Sequence, residues 1–344
     1  MMENLVRAAT FQGVGRKLTV EEVADPTPAA DEVILAIAYA GICGSDLHMA
    51  KSEYTPHGLI FGHEFSGEIV SLGSRVKKYG AGQRVTALPL TPCRQCDACY
   101  KHLPALCPSN LFLGCSLEAQ GAYAQYLAVR ADMLQPLPQG ISYEEGAIVE
   151  PLAVGRHVVS LANMPRGASV LILGAGPIGA AAALFSRHAG ASHVVVSDPS
   201  AGRRAHAKLM GATAVIDPCH QDVRAAYSAA TGEDSPRFIL ECVGIEGMLQ
   251  QAVTLAAARG KIVAAGVLFT DDRLSPIVAL GKELTIQYSQ AYQVGDFEAV
   301  ITALAKREID AQPMHTATVS LTQLPDMFES LSQPSNQAKV LIRP

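Results

Sequence analysis

Between Val33 and Gly140 the apolar positions come in short runs, Val33–Ala40, Glu68–Leu72, Arg84–Ala87 and Tyr123–Val129, punctuated by glycine and proline. Such runs predict strands in a loop-rich, all-β region. The pattern changes after Glu150-Pro151. Val170–Leu173 reads as a buried strand, Gly174–Gly179 as a turn, Ile178–His188 as an alanine-rich helix and Val194–Ser197 as a second buried strand, which together make one βαβ unit. Further strand candidates at Ala214–Ile216, Phe238–Cys242, Lys261–Gly266 and Leu284–Tyr288 alternate with helical stretches, and this alternation predicts a parallel doubly wound sheet. From about Tyr292 the chain offers a helix around Phe297–Lys306 and a last strand at Ala338–Ile342, expected to return to the first region. The expected organisation is a β-rich domain over 1–153, an α/β domain over 154–291 and a return segment over 292–344. No internal repeat or low-complexity segment interrupts it.

Length and composition fit this division. At 344 residues the chain exceeds the size at which one core stops growing, and 49% hydrophobic residues supply enough apolar material for two. Charged residues make up 17% and the net charge is -5, so nothing attracts the protein to nucleic acid or to acidic membranes. Met1–Thr10 carries Glu3 and Arg7 and lacks the apolar stretch of a secretory signal. The longest uncharged apolar stretch, Ala168–Ser186, is broken by Gly174, Gly176, Pro177 and Gly179 and is short for a membrane span. A cytoplasmic protein is the expectation, with neither nucleic acid nor membrane as partner.

Gly174-Ala175-Gly176-Pro177-Ile178-Gly179 follows an apolar strand and opens a helix. The first glycine permits a tight turn, the second lets a pyrophosphate approach and the third allows close helix packing. Asp198 stands just after the next strand, where a carboxylate accepts hydrogen bonds from the adenosine ribose and repels the extra phosphate of NADP. NAD is therefore the expected cofactor, with Arg203 lying along the adenine side. Arg203 and Arg204 could argue for NADP by pairing with a phosphate, but the retained carboxylate outweighs them. A P-loop is excluded, because the Gly-Lys-Ser/Thr ending is missing.

Two candidate metal sites lie upstream. Cys93, Cys96, Cys99 and Cys107 put four thiolates on one short proline-restricted lobe at about 92–108, a spacing that closes a tetrahedron around structural zinc. A disulfide pair or free thiols would suit an oxidising or metal-free setting, and an iron–sulfur cluster is chemically open but less apt beside a dinucleotide-binding fold. Cys43, His63, Glu64 and Glu150 form a mixed set able to keep one zinc position open for chemistry. Gly41 and Gly44 are expected to allow a bent backbone around Cys43. One thiolate and two carboxylates bring three negative charges to a dication, so Glu64 and Glu150 are expected not to bind tightly together. Cys115, Cys219 and Cys242 read as small buried residues.

In order along the chain, Cys43-Gly44-Ser45-Asp46-Leu47-His48, Gly62-His63-Glu64-Phe65-Ser66-Gly67, the four-cysteine lobe, Glu150-Pro151 and Gly174–Gly179 resemble the zinc-dependent medium-chain dehydrogenase/reductase family over essentially the whole chain. The resemblance implies a GroES-like catalytic domain split around a Rossmann domain, with the active site in the cleft between them. It implies two zinc ions per subunit, one catalytic and one structural, together with NAD, and subunits that pair through their Rossmann sheets as a homodimer or homotetramer. For Ser45 and His48 it implies a proton relay, with Glu64 beside the reacting centre.

Within the family the chain is most similar to the branch of 2,3-butanediol, sorbitol and threonine dehydrogenases. Leu284–Tyr292 followed by Asp296-Phe297 is similar to the butanediol type, and Ala291 stands where sorbitol dehydrogenases usually carry arginine. Gln83 replaces the usual aspartate before Arg84-Val85, and the connection from Cys43 to His63, which borders the substrate pocket, is short. The implied reaction is hydride transfer between NAD(H) and a secondary alcohol or diol and its ketone. A polyol, threonine, or a cyclic or terpenoid alcohol is the alternative substrate, and a zinc-stabilised NAD-binding protein without turnover is the reading from another class.

Overall fold

The computed structural model describes residues 5–333 and 335–344. Met1–Asn4, with the Glu3 of the amino-terminal reading, lie outside the described residues. Contacts divide the chain into two compact units: one formed by residues up to Glu150 with Gln293–Lys306 and His315–Pro344, the other by Pro151–Tyr292 with Arg307–Met314.

The first unit opens with a hairpin of β1 (Leu5–Thr10) and β2 (Thr19–Ala24). Its main sheet is built on β3 (Glu32–Gly41), which pairs antiparallel with β4 (Glu64–Leu72) through two register shifts, and β4 pairs in turn with β5 (Arg84–Ala87). β6 (Leu90–Thr91) and β7 (Leu111–Phe112) form a small ribbon at the base of the cysteine lobe. β8 (Tyr126–Arg130) pairs with the first half of β3, and β9 (Leu134–Pro136) pairs with β5. Tyr123–Gln125, expected within a strand, lies before β8. Here the backbone spends its hydrogen bonds elsewhere, Tyr123 N on Phe61 O, Gln125 N on Arg7 O and Ala9 N on Tyr123 O.

The second unit contains β10 (Ser169–Leu173), β11 (His193–Ser197), β12 (Ala214–Ile216), β13 (Phe238–Glu241), β14 (Lys261–Ala264) and β15 (Thr285–Tyr288), all parallel in the order β12-β11-β10-β13-β14-β15. The fold is therefore α/β, a β-rich unit plus a doubly wound parallel sheet. Every residue of β10 is buried, which is why that strand shows no polar alternation. The helix Pro177–His188 packs its consecutive buried alanines, Ala180–Ala183, against the unit's interior. Gly155 fits beneath that helix because a Cβ there would lie 2.4 Å from the Ala181 Cβ.

The chain then returns to the first unit, where β16 (His315–Ser320) pairs parallel with β17 (Lys339–Arg343) and β17 pairs antiparallel with the end of β3. Phe61 anchors the core there, edge-on to Phe11 at 5.5 Å and stacked on Phe328 at 5.9 Å.

Three expectations need correction. Residues 307–314 belong with the second unit rather than the return segment. The turn Gln312–Met314 packs on the helix Ala201–Leu209, and the His206 ring Nε2 meets the Pro313 carbonyl at 2.9 Å. The stretch Val33–Gly140, read as all-β, also carries the helices Gly44–Met49 and Asp97–Tyr100, too short to show a 3.6-residue period. Cys219 is exposed, because it sits on the turn in which Asp217 caps its backbone N–H, while Cys115 and Cys242 are half-buried. Among the described residues no helix is long and apolar enough to cross a membrane.

Candidate metal and dinucleotide sites

Cys43 ends the extended backbone after β3 and caps the short helix Gly44–Met49, with the Asp46 carboxylate reaching back to accept from the Cys43 N–H at 3.3 Å. His63 enters from the other side, directly before β4, on a backbone turned by Gly62 at φ +101°. Only glycine serves at position 62, since a Cβ would also lie 2.5 Å from the Tyr123 ring. Gly41 has a different task from the one expected of it. Neither Gly41 nor Gly44 has a positive φ; Gly41 faces Glu64 across the β3–β4 ladder, and a Cβ there would sit 2.1 Å from Glu64 Oε2. Position 41 therefore supplies space for a carboxylate rather than a bend.

The structure brings donor atoms of Cys43, His63 and Glu64 within 4.8 Å of one another. Glu150 is not in that group; it is buried in the helix Val149–Ala162, near enough for its charge to act on Cys115 and Lys339. Ser45 Oγ donates to the Cys43 sulfur at 3.2 Å and lies 3.4 Å from His63 Nε2. His63 Nδ1 faces Asp46 Oδ1 at 3.3 Å, which fixes the ring with Nε2 on the thiol side. His48 is exposed on the same short helix, its Nδ1 2.8 Å from the Gly44 carbonyl.

Three buried neighbours that sequence reasoning gave no role complete the site. Asp46, quoted above only as part of a motif, is wholly buried and also accepts from the Tyr123 hydroxyl at 2.6 Å. Burial, and then the charge of Asp46, hold the Tyr123 phenol well above its usual pKa, so it remains a donor. Lys339, at the start of β17, donates to Glu64 Oε1 at 2.6 Å and to the Ile42 carbonyl at 3.0 Å. Burial opposes its charge, but Glu64 and then Cys43 outweigh that and raise its pKa above the usual lysine value. A signal existed, for a lysine within the apolar run Ala338–Ile342 is anomalous in a buried strand.

Glu64 Oε2 is buried without a hydrogen-bond partner, and a buried carboxylate oxygen left so is costly. An orphaned carboxylate oxygen beside a thiol and an imidazole is the donor chemistry that suits zinc. The lobe cysteines likewise fit zinc: all four sulfurs lie within 4.8 Å of one another, none forms a disulfide, and Cys107 and Cys99 accept from the backbone N–H groups of Cys93 and Arg94. The backbone near Gln95, and then Cys107, lower the Cys93 thiol to about 7.

In the second unit Gly174 turns at φ +92°, and a Cβ on Gly179 would lie 1.9 Å from the Gly174 carbonyl. Gly176, Pro177 and Ile178 lead into the helix, and a Cβ on Gly176 would meet nothing, which leaves its backbone open to a ligand. The loop adjoins the strand pair β10–β13, where the sheet order reverses. Asp198 is buried and accepts from Ala175 N at 2.8 Å and from Ser200 N at 2.7 Å, so it fixes both the glycine loop and the following turn. Arg204 is held by the Asp198 and Pro199 carbonyls and by Asp217 at 2.8 Å, while half-buried Arg203 gives its backbone N–H to the Ser200 hydroxyl.

Residues 29–139 match the alcohol dehydrogenase GroES-like domain, and residues 177–306 match the zinc-binding dehydrogenase domain. The chain belongs to the zinc-dependent medium-chain dehydrogenase family. It is similar to sorbitol dehydrogenase of Bacillus subtilis, 31% identical over 96% of this chain and 95% of that protein. It is also similar to 2-dehydro-3-deoxy-L-galactonate 5-dehydrogenase of Pseudoalteromonas atlantica, 30% identical over 92% of each chain. A zinc-binding dehydrogenase from Sinorhizobium meliloti 1021 solved with NADP shares the fold at a TM-score of 0.91 and 30% identity, covering 99% of this chain and 100% of that one. This dehydrogenase is accordingly an oxidoreductase of the zinc-dependent alcohol and polyol group, with a GroES-like domain and a Rossmann-type sheet.

Proposed function

We propose that this dehydrogenase uses NAD to oxidise a secondary hydroxyl, carried on a polyol or sugar acid, to the ketone, or runs the reverse reduction. The observation that carries the reading is the gathered set Cys43, His63 and Glu64 with Glu64 Oε2 left unpartnered, in a chain that also bears the glycine loop and Asp198. Cys43 and His63 would hold the catalytic zinc, with Glu64 or Glu150 completing the set, and the four lobe cysteines would hold a second, structural zinc. When bound, the catalytic zinc supplies Lewis acidity for the substrate oxygen and NAD supplies the hydride acceptor.

The chain's own residues handle the proton. The Ser45 hydroxyl lies between the Cys43 and His63 donors, in place to take a proton from a substrate oxygen bound there. His48, exposed on the same helix with its Nδ1 2.8 Å from the Gly44 carbonyl, would hand the proton on to water. NAD is preferred over NADP because the Asp198 carboxylate would face the extra phosphate and Arg204 is already committed to two carbonyls and Asp217. Arg203 lies along the adenine side.

The sorbitol and galactonate relatives support a polyhydroxylated substrate. Ala291, with the Leu284–Tyr292 stretch, favours a second reading, a short diol such as 2,3-butanediol. Self-association through the edge strand β15 is supported by exposed Tyr288 with exposed Ile277 and Leu280 nearby. The cytoplasm, where the thiolates stay reduced, is the compartment we assign.

The test is NADH formation by zinc-loaded protein, with and without chelator, across sorbitol, sugar acids, 2,3-butanediol, threonine and simple secondary alcohols. Cys43→Ser should abolish turnover while NAD binding survives; full turnover in that variant overturns the assignment.

A further inference from the structure

Asp198 and Asp217 are neighbours by register. β11 and β12 run parallel with Ser197 opposite Ile216, so the residue that follows each strand, Asp198 or Asp217, emerges at the same edge of the sheet, and the Asp198 N–H donates to the Ile216 carbonyl at 3.2 Å. Arg204, on the helix Ala201–Leu209, spans the two positions. Its Nη1 donates to the carbonyls of Asp198 and Pro199, each at 2.8 Å, and its Nη2 meets Asp217 Oδ2 at 2.8 Å. A guanidinium near the ribose carboxylate is what a dinucleotide site uses to accept the extra phosphate of NADP. Here that guanidinium is present, and its terminal nitrogens are spent on the protein.

Asp217 is itself held in place. Its Oδ1 accepts from Cys219 N at 3.0 Å, its own N–H donates to Gln221 Oε1 at 2.9 Å, and its carbonyl accepts from the backbone N–H groups of His220 and Gln221. The Arg204 and Asp217 side chains are only 16% and 21% exposed, so their attraction is screened less than that of a surface pair. His220 Nδ1 also lies 3.2 Å from Asp217 Oδ2, but that ring is solvent-exposed and adds little. Asp198 cannot be altered cleanly, because its carboxylate fixes the glycine loop at Ala175 N and the following turn at Ser200 N. Asp217 has no bond to the glycine loop among the described residues.

We propose that Asp217 is a specificity-determining residue, which acts by withholding Arg204 from a phosphate on the adenosine ribose. The proposal rests on the NAD reading above and goes past it. The preference for NAD is lodged in two places: one carboxylate faces the phosphate, and a second ties up the cation able to pair with it. The second can be changed without the first.

The experiment is titration calorimetry on the full chain with two pairs of ligands, NAD against NADP and AMP against adenosine 2′,5′-bisphosphate. The second pair probes the adenosine end alone. Asp217→Asn keeps an oxygen for the Cys219 N–H and removes the charge that holds Arg204. In that variant the affinity ratio of phosphorylated to unphosphorylated ligand should rise by ~10-fold or more, the scale of a hydrogen bond between charged groups. Arg204→Leu added to Asp217→Asn should bring the ratio back toward the parent value. No rise in a folded Asp217→Asn protein overturns the proposal. So does a rise that survives in the double variant, since Asp217 would then act only as a repelling charge. Should Asp217→Asn fail to fold, Asp217→Ser, whose hydroxyl can accept the same N–H, is judged by the same two outcomes. A parent protein that binds the phosphorylated member of each pair more tightly refutes the NAD reading and the proposal with it, and that result is separate because it appears before any substitution.

Discussion

Gly41→Ala adds one methyl group at a backbone position that any residue can adopt, since φ there is not positive. Its whole cost is therefore steric and falls on one neighbour. The new Cβ would sit 2.1 Å from Glu64 Oε2 and 3.1 Å from the Glu64 Cβ, and under 3.0 Å something must move. Glu64 cannot swing clear and keep its 2.6 Å bond to Lys339, and both groups are buried. Breaking such a pair costs about 3–5 kcal/mol, because each charge is left without a partner. Small adjustments of β3 against β4 could recover part of this, so about 3 kcal/mol is the working figure. For a unit of this size that corresponds to a fall of roughly 6–12 °C in Tm.

The assay is thermal melting of the metal-free protein in chelator, run as a double-mutant cycle with Glu64→Ala. Glu64→Ala is itself destabilising, because Lys339 is stranded, but it removes the atom with which the methyl group collides. In that background the 2.1 Å clash is gone and only the 3.1 Å approach to the retained Cβ at position 64 remains, so Gly41→Ala should cost about 1 kcal/mol or less. An equal cost in both backgrounds would refute the steric argument, and so would a loss below about 1 kcal/mol in the parent protein.

Cys99→Ser should lower melting of the cysteine lobe and its zinc content before it alters the hydride step; full activity with unchanged melting and zinc content would remove the lobe's structural role. Gly179→Ala places a Cβ 1.9 Å from the Gly174 carbonyl, so NAD affinity should drop by ~10-fold or more while cobalt binding at Cys43 stays intact, as measured by titration calorimetry and absorption. His206 has its pKa lowered by burial, the Pro313 carbonyl opposing that only in part. Its neutral form is the one the folded protein favours, so its contribution is complete above the free-histidine pKa of about 6.5 and is lost as pH falls through the lower folded value. Melting temperature should consequently fall less between pH 7 and pH 5 in His206→Gln than in the parent, and an equal fall would exclude His206 as a contributor.

Much of the architecture could be read from local pattern. A parallel strand buried on both faces must be apolar throughout, so Val170–Leu173 and Val194–Ser197 announced themselves, and Asp198 could be paired with the glycine loop because both flank the same βαβ unit. The cysteine lobe was equally legible, since its four sulfurs lie within one short stretch and need no distant partner. Cys43, His63, Glu64 and Glu150 could be named as candidate donors from residue type, but residue type did not say that only the first three are gathered.

Tertiary structure decided what those donors do. The expectation that Glu64 and Glu150 do not both bind tightly came from counting charge, whereas the buried cation beside Glu64, Lys339, arrives on β17 through a strand pairing that no local periodicity encodes. Tyr123 reaches Asp46 only because residues 121–124 leave the strand and run beside Phe61 and Gly62. Residues 307–314 joined the second unit through docking contacts, Pro313 on His206 and Glu308 beside His188, rather than through any change in composition. The chemistry of a side chain is fixed by its type and can be read from sequence; its partner is fixed by which backbones the sheet brings together. For a buried carboxylate such as Glu64, that partner is a lysine from the far end of the chain.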